Sequence, residues 1–236
     1  MDIAGVTALV TGANRGLGRH FAAQLVEKGA KVYATARRPE TVDLPGVEVL
    51  QLDITDASSI AAAAAVATDV GLLVNNAGIS TSTNLLGTDL DAVRREMDTH
   101  LWGNLNMVRA FAPILAANGG GAIVNVLSAL SWFSINGNNA YALAKAAEWS
   151  MTNGIRLELA AQKTQVTGVV LGVADTDLMA GVDYDGPLED PAVVVRTALE
   201  GVQNGLIEVI VDEWSAHVKA SLAGDPGDFY RQMQAL

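Results

Sequence analysis

Short apolar runs alternate with longer amphipathic stretches along the whole chain. Seven runs of four to six residues have the composition of buried strands, at 7–11, 31–36, 47–52, 72–75, 122–127, 166–171 and 207–211. Helical patterns lie between them near 17–28, 56–67, 88–117, 141–161 and 191–203, with a last one near 213–222. This alternation predicts βαβ units with right-handed crossovers. The predicted fold is therefore α/β, with a doubly wound, mainly parallel seven-stranded sheet and helices on both faces.

The chain is predicted to form one domain over residues 1–236. No stretch rich in Pro, Gly or Ser and no run of charges divides it. The longest predicted loop in the second half is 175–191, which holds Gly, Pro and several acidic residues. Loops that follow strands cover the ligand crevice in this architecture, so we expect a substrate lid at about 175–191.

Composition narrows the function classes. Half of the 236 residues are hydrophobic but only 5% are aromatic, so small aliphatic side chains must fill the core. The net charge of −11 would repel a phosphate backbone, and we expect no nucleic-acid partner. The lack of Cys excludes disulfides and thiolate sites and favours a reducing, cytoplasmic location. We also expect no secretion signal, no membrane span and no metal site, since the sequence shows none of their patterns.

A glycine-rich loop follows the first predicted strand. Residues 11–18 read Thr-Gly-Ala-Asn-Arg-Gly-Leu-Gly and lead into a helix. Gly12 permits a tight turn, while Gly16 and Gly18 let the backbone approach a pyrophosphate and let the helix pack on the strand. The helix N-terminus offers unpaired N–H groups to the phosphates. The position after the first strand favours a Rossmann-type dinucleotide site over an ordinary Gly-rich turn.

The end of the second predicted strand bears on which dinucleotide binds. An NAD site usually has an acidic residue there, roughly 20 residues past the glycines. Here that position holds Ala36, and Arg37 and Arg38 follow. Guanidinium groups pair with a 2′-phosphate, and Arg15 in the glycine loop can close on the same group. We therefore expect NADP(H); the alternative is that the two arginines are only a solvated strand end.

Tyr141 and Lys145 lie four residues apart at the start of a predicted helix, and therefore on one face. An ammonium beside a phenol favours the phenolate, so we expect the pKa of Tyr141 to fall below its usual value near 10. Such a phenol can serve as a general acid or base. The spacing is common in proteins and alone would not assign this role.

Together, these motifs resemble the short-chain dehydrogenase/reductase family over nearly the whole chain. The segment 75–78, Asn-Asn-Ala-Gly, resembles the family motif after the fourth strand. Ser128 lies 13 residues before Tyr141, as the catalytic Ser of the family typically does. The segment 172–176 resembles the one that contacts the nicotinamide carboxamide. The order and spacing of these motifs make the resemblance specific.

The resemblance implies a role for each site residue. Tyr141 exchanges a proton with the substrate oxygen, Ser128 hydrogen-bonds that oxygen, and Lys145 holds the nicotinamide ribose and tunes Tyr141. Asp53 matches the acid that contacts the adenine amine. The implied cofactor-binding residues are Gly12, Asn14, Arg15, Gly16, Leu17, Gly18, Arg37, Arg38, Asp53, Ile54, Asn76, Ala77, Gly78, Tyr141, Lys145, Gly172, Val173 and Thr176.

Two positions depart from the family pattern. His100 stands in the fourth helix where the family often has an Asn that supports a water-mediated proton relay from the Lys. A relay role and a purely structural role both fit His100 at this stage. Leu171 stands where the family commonly has Pro before Gly172, which leaves the local loop geometry open.

The expected function is hydride transfer between NADP(H) and a ketone, aldehyde or secondary alcohol. The residues expected to face this small-molecule substrate are Ser128, Trp132, Asn138, Tyr141, Met179 and Tyr184. Two alternatives are a non-catalytic NADP-binding sensor and a dehalogenase-like lyase on the same fold. The intact Ser, Tyr and Lys argue against the first, and the glycine loop with its arginines against the second. The family further implies a homodimer or homotetramer built on the helices near 88–117 and 141–161.

Overall fold

The computed structural model describes residues 1–87, 89–182 and 184–233. Its strands are β1 (Thr7–Val10), β2 (Lys31–Ala36), β3 (Glu48–Gln51), β4 (Leu72–Asn75), β5 (Gly121–Val126), β6 (Thr164–Val170) and β7 (Glu208–Ile210). Within the described residues they form one seven-stranded sheet in the order β3-β2-β1-β4-β5-β6-β7, and every neighbouring pair is parallel. The predicted fold class is confirmed, and the sheet expected to be mainly parallel is parallel throughout.

Helices cover both faces of the sheet. They are α1 (Gly16–Glu27), α2 (Ala57–Val66), α3 (Leu90–Met97), α4 (Asn104–Ala117), α5 (Asn139–Glu158), α6 (Pro191–Gln203), α7 (Glu213–Ser221) and α8 (Pro226–Gln232). One apolar cluster joins α1 and α6 to the sheet through Phe21, Leu25 and Leu199. A second joins α2 and α4 to the other face through Ile60 and Phe111. Among the described residues, no helix is both long and apolar enough to cross a bilayer.

The single helix predicted over 88–117 is interrupted, so that prediction is wrong in one respect. α3 ends at Met97, a π-helical turn spans Asp98–Gly103, and α4 continues from Asn104. Thr88, at the start of the predicted range, lies outside the described residues. A π turn adds a residue to the helix and redirects the side chains around it. Here it buries His100, which is 1% exposed.

Strand order reverses between β1 and β4, because β1 pairs with β2 on one side and with β4 on the other. In an open parallel sheet, the crevice outside the carboxyl ends of the strands at such a point is where ligands bind. The loops that follow β1, β4, β5 and β6 all lie at this edge, since the strands are parallel. The topology therefore gathers motifs that are far apart in the sequence.

Candidate active site

A cavity of about 710 Å³ lies along the carboxyl edge of the sheet, within the size range of small-molecule and cofactor sites. The predicted site residues that line it are Gly12, Asn14, Arg15, Gly16, Leu17, Arg37, Arg38, Asp53, Ile54, Asn76, Ala77, Gly78, His100, Ser128, Asn138, Tyr141, Lys145, Gly172, Val173, Thr176, Met179 and Tyr184. The structure thus brings the nucleotide motifs and the catalytic motifs into one continuous space.

Two predicted residues, Gly18 and Trp132, are not part of the cavity lining. Gly18 faces the carbonyl oxygen of Gly12, and a Cβ atom at position 18 would lie 2.1 Å from it. Its role is therefore to let α1 pack against the loop. Trp132 packs edge-on against Trp149, with ring centroids 6.5 Å apart, and Lys219 lies over its ring. The structure places Trp132 in an aromatic cluster rather than in the substrate space.

The glycine loop is tied by hydrogen bonds to the segment that follows β4. Gly12 and Gly16 adopt positive φ angles of 65° and 50°, which favour glycine. The Thr11 hydroxyl oxygen accepts hydrogen bonds from the backbone N–H groups of Asn76 and Ala77, both at 2.9 Å. The Asn76 amide donates to the Thr11 carbonyl at 2.9 Å. Thr11, which sequence reasoning did not single out, thus ties the loop to the segment after β4.

Three arginines stand at the outer end of the nucleotide half of the cavity. Arg37 and Arg38 are exposed at the end of β2 and line the cavity. Arg15 lies 3.9 Å from the Asp177 carboxylate in the segment after β6, with both side chains about 60% exposed. An exposed pair of this kind contributes little to stability, so a ligand phosphate can replace Asp177 as the partner of Arg15.

Ser128, Tyr141 and Lys145 converge at the other half of the cavity. Ser128 follows β5, is buried, and its hydroxyl oxygen accepts a hydrogen bond from the backbone N–H of Leu130 at 3.1 Å. Tyr141 is half-buried near the start of α5, and its ring packs edge-on against His100 with centroids 5.2 Å apart. The Lys145 Nζ atom lies 5.7 Å from the centre of the Tyr141 ring. The predicted proximity of these groups is what the structure shows.

Lys145 is buried and has two protein partners. Its Nζ donates to the carbonyl of Val126 at 2.8 Å and to the carboxylate of Glu148 at 2.7 Å. An ammonium has three N–H donors, so one remains for a group in the cavity. Glu148, fully buried on α5, was missed by sequence reasoning. The available signal was its position three residues after Lys145, on the same helix face.

The pKa of Tyr141 is raised, contrary to the expectation from sequence. Removal of the hydroxyl from water raises the pKa most, and the charge of Lys145 lowers it. The negative charges of Glu148 and Glu96 raise the pKa further, and together with burial they outweigh the opposing effects of Lys145 and of the nearby Ser128 hydroxyl. The expectation considered only the nearest cation and left out two buried carboxylates, Glu148 on the same helix and Glu96 on α3.

His100 lies between those carboxylates. Its Nε2 is 2.9 Å from the carbonyl oxygen of Ile79 and 3.4 Å from a carboxylate oxygen of Glu96. Its Nδ1 is 3.7 Å from Glu148 Oε2. Gly78 allows this close packing, because a Cβ atom there would lie 2.7 Å from His100 Cε1. His100 therefore lies beside the carboxylate that pairs with Lys145, and its role in a proton relay stays a prediction.

The segment after β6 is fixed from the C-terminal part of the chain. The backbone N–H of Gly172 donates to the Asp212 carboxylate at 2.7 Å, and Asp212 also accepts from the N–H of Ser215 at 2.7 Å. Leu171, which replaces the usual Pro, is buried. The loop geometry left open by this replacement is thus set by Asp212, the cap of α7.

The predicted lid is a loop closed at its base. Within 175–191, Asp183 lies outside the described residues. Backbone hydrogen bonds join Asp175 to Glu189 at 3.0 Å and Glu189 to Val173 at 2.8 Å. Met179 and Tyr184 both line the cavity from this loop, as predicted. Asn138 also lines it, and its side-chain oxygen accepts from the Ser80 hydroxyl at 3.1 Å.

Comparison with known proteins agrees with this geometry. The family model described as short chain dehydrogenase matches residues 6–185. A crystal structure of a short chain dehydrogenase from Burkholderia cenocepacia J2315 in complex with NADP is 37% identical, covers 98% of each chain and superposes with a TM-score of 0.93. D-erythrulose reductase of Gallus gallus is 30% identical over 96% of this chain and 97% of its own.

The fold is also shared with a short chain dehydrogenase/reductase from Burkholderia phymatum in complex with NAD. Its TM-score is 0.84 over 98% of this chain and 96% of that chain, at 20% identity. Proteins of this fold therefore bind either NADP or NAD, and cofactor choice must be argued from the residues of each chain.

Proposed function

The chain belongs to the short-chain dehydrogenase family, and from that premise we propose that it is an NADP(H)-dependent carbonyl reductase or alcohol dehydrogenase. The observation that carries the proposal is the single cavity in which Tyr141, Lys145 and Ser128 lie at one end and the glycine loop at the other. When bound, the nicotinamide supplies or accepts the hydride, and the protein orients it and exchanges the proton.

The nucleotide half of the cavity fits a dinucleotide. Gly12 and Gly16 line it without side chains and in positive-φ conformations, so backbone N–H groups at the start of α1 are accessible to a pyrophosphate. Arg37 and Arg38 line the cavity directly after Ala36, which replaces an acid, and their guanidinium groups can pair with a ribose 2′-phosphate. Lys145 keeps one N–H donor for the nicotinamide ribose. Of these features, the two arginines and Ala36 support NADP(H) over NAD(H).

The raised pKa of Tyr141 suits this residue to act as the general acid in carbonyl reduction. At neutral pH its hydroxyl keeps its proton and can give it to a substrate oxygen that gains negative charge. The phenolate left behind then faces the ammonium of Lys145, whose pKa is itself raised: burial lowers it, but the charge of Glu148 outweighs burial. Ser128, which lines the same cavity, is placed to hold the same substrate oxygen.

We propose a small or medium-sized ketone or aldehyde as the substrate. Beside the catalytic end, the cavity is lined by the apolar residues Ile79, Leu130 and Ile135 and by the polar residues Ser80 and Asn138. A substrate with a compact carbon skeleton and few polar groups suits this mixture. The relative from Gallus gallus, named for the reduction of D-erythrulose, is consistent with that size class.

Two measurements in sequence test the proposal against its alternatives. NADPH and NADH are titrated first, and a panel of ketones and aldehydes is then screened by the loss of NADPH absorbance. The proposal expects tighter NADPH binding and turnover of at least one carbonyl. Binding of NADPH with no turnover on any carbonyl would favour the sensor, and no binding of either cofactor would favour the lyase.

Two large apolar side chains beside the site are exposed and available for self-association. Trp102 on the π turn and Leu143 on α5 are 52% and 43% exposed, which supports a homodimer or homotetramer that covers them. A cytoplasmic location stays a prediction from the sequence.

A further inference from the structure

Two carboxylates are buried next to the catalytic lysine. Glu148 and Glu96 are both fully inaccessible to solvent. Glu148 Oε2 accepts from Lys145 Nζ at 2.7 Å, and Glu148 Oε1 accepts from the side-chain amide of Asn104 at 2.6 Å. Burial of a charge is costly unless the charge is paired and hydrogen-bonded, and Glu148 meets both conditions. Glu148 therefore holds Lys145 through one oxygen and links α5 to α4 through the other.

The ionisable groups around Glu148 come from three elements. Lys145 and Tyr141 lie on α5 with it, His100 approaches from the π turn, and Glu96 lies beyond His100 on α3. Burial raises the pKa of Glu148, but the charge of Lys145, with His100 close by, outweighs burial and holds the pKa below its usual value. Glu148 is therefore a carboxylate at neutral pH, directly against the catalytic ammonium.

We propose that Glu148 is a positioning residue that keeps the Lys145 side chain in its ammonium form and aims its remaining N–H donor into the cavity. The inference rests on the proposed function, because it takes Lys145 to hold the nicotinamide ribose and to face the Tyr141 phenolate. Two of the three donors of Lys145 are committed to Val126 and Glu148, and these two bonds fix the direction of the third.

A merely structural role does not require an acid at this position. An apolar side chain of similar volume would fill the space without the cost of burying a charge. Without Glu148, burial would act on Lys145 with much less opposition, and its pKa would fall. The ammonium would then be lost at a lower pH, together with the positive charge that faces Tyr141. An acid is needed here if the lysine must stay charged.

The first arm of the test measures the pH dependence of kcat/KM for carbonyl reduction in Glu148→Gln. Loss of the carboxylate lowers the pKa of both Lys145 and Tyr141, since its charge raises each of them. The alkaline decline in rate should therefore begin at least about one pH unit lower than in the native protein. Glu158→Gln, on the exposed part of the same helix, makes the same charge change and should leave the profile unchanged.

The second arm measures NADPH binding without any turnover. Glu148→Gln should weaken NADPH binding by about tenfold, because the donor of Lys145 is no longer held toward the ribose. In a Lys145→Met background the same substitution should add little, since the two residues act as one unit. Glu148→Asp keeps the charge but withdraws the carboxylate by one methylene. In this variant the decline of kcat/KM at high pH should begin at the native pH, while NADPH binding should still be weaker than in the native protein.

The outcomes separate the inference from the proposed function. If Glu148→Gln keeps both the native decline of kcat/KM at high pH and the native NADPH affinity, the proposed role of Glu148 is wrong. If that variant does not fold, Glu148→Asp is measured instead. Unchanged NADPH affinity in Glu148→Asp overturns the inference. Weakened NADPH affinity, with the decline of kcat/KM at high pH unchanged, supports it. A native protein that bound neither NADPH nor NADH would instead overturn the proposed function.

Discussion

Removal of the Arg37 guanidinium should weaken NADPH binding while NADH binding stays the same. Arg37 stands exposed at the end of β2, on the cavity wall, and the position before it is Ala36 rather than an acid. A hydrogen bond to a charged group contributes about 1.5–3 kcal/mol. Because Arg37 is solvated, the lower figure applies, and about 1.5 kcal/mol corresponds to a roughly tenfold rise in the NADPH dissociation constant.

The assay is a fluorescence titration of each cofactor into native protein and Arg37→Ala. NADH lacks the 2′-phosphate, so its dissociation constant should change less than about twofold. Exposed charge pairs are screened by salt, and the preference for NADPH should therefore shrink as ionic strength rises. Arg94→Ala removes another exposed guanidinium, which pairs with Asp91 on α3, and should affect neither cofactor. Equal native affinities, or an equal loss for both cofactors in Arg37→Ala, would refute the reasoning.

Four further predictions follow from the same geometry. Gly18→Ala should abolish NADPH binding and lower Tm, because the new Cβ would lie 2.1 Å from a carbonyl oxygen of the glycine loop. The control is Gly154→Ala, which places a Cβ in open space and should change neither NADPH binding nor Tm. Alcohol oxidation needs the phenolate of Tyr141, and the pKa of Tyr141 is raised, so kcat/KM for oxidation should keep rising above neutral pH. Because the charge of Lys145 lowers the pKa of Tyr141, Lys145→Met should move that rise to still higher pH. The pKa of Glu148 is lower in the folded protein than its ordinary value of 4.5. The ionised carboxylate therefore stabilises the fold above pH 4.5, and this stabilisation is lost as the pH falls through the folded-state pKa. In acid, Tm of the native protein should drop more steeply than Tm of Glu148→Gln. Sedimentation at micromolar concentration should give a dimer or tetramer, and a clean 24.6 kDa species would contradict assembly through α4 and α5.

The parts of the fold that could be predicted are those marked by patterns within a short stretch of sequence. Strands buried on both faces appear as continuous apolar runs, and their alternation with helical patterns leaves few topologies. The glycine loop at 11–18 and the spacing of Tyr141 and Lys145 are equally local. The sequence could therefore predict which residues meet at the carboxyl edge of the sheet before any coordinates were considered.

The parts that were missed depend on contacts between distant segments. The π turn at Asp98–Gly103 lies inside a stretch whose helical pattern continues on both sides, so nothing marks the extra residue. Glu96 and Glu148 look like surface acids on amphipathic helices, and only packing shows that both are buried around His100. Trp132 was expected in the substrate space because of its place between Ser128 and Tyr141. Spacing alone does not show that its ring points toward Trp149.

The central claim is that Tyr141 exchanges a proton with the substrate oxygen, and single-turnover reduction by Tyr141→Phe tests it most directly. The substitution keeps the ring that packs against His100 and removes only the hydroxyl. General acid catalysis contributes about 10²–10⁴ in rate, so the chemical step should slow by at least that range while NADPH affinity stays native. Single-turnover conditions keep product release from masking the loss. A variant that retained more than about a tenth of the native single-turnover rate would contradict the assignment.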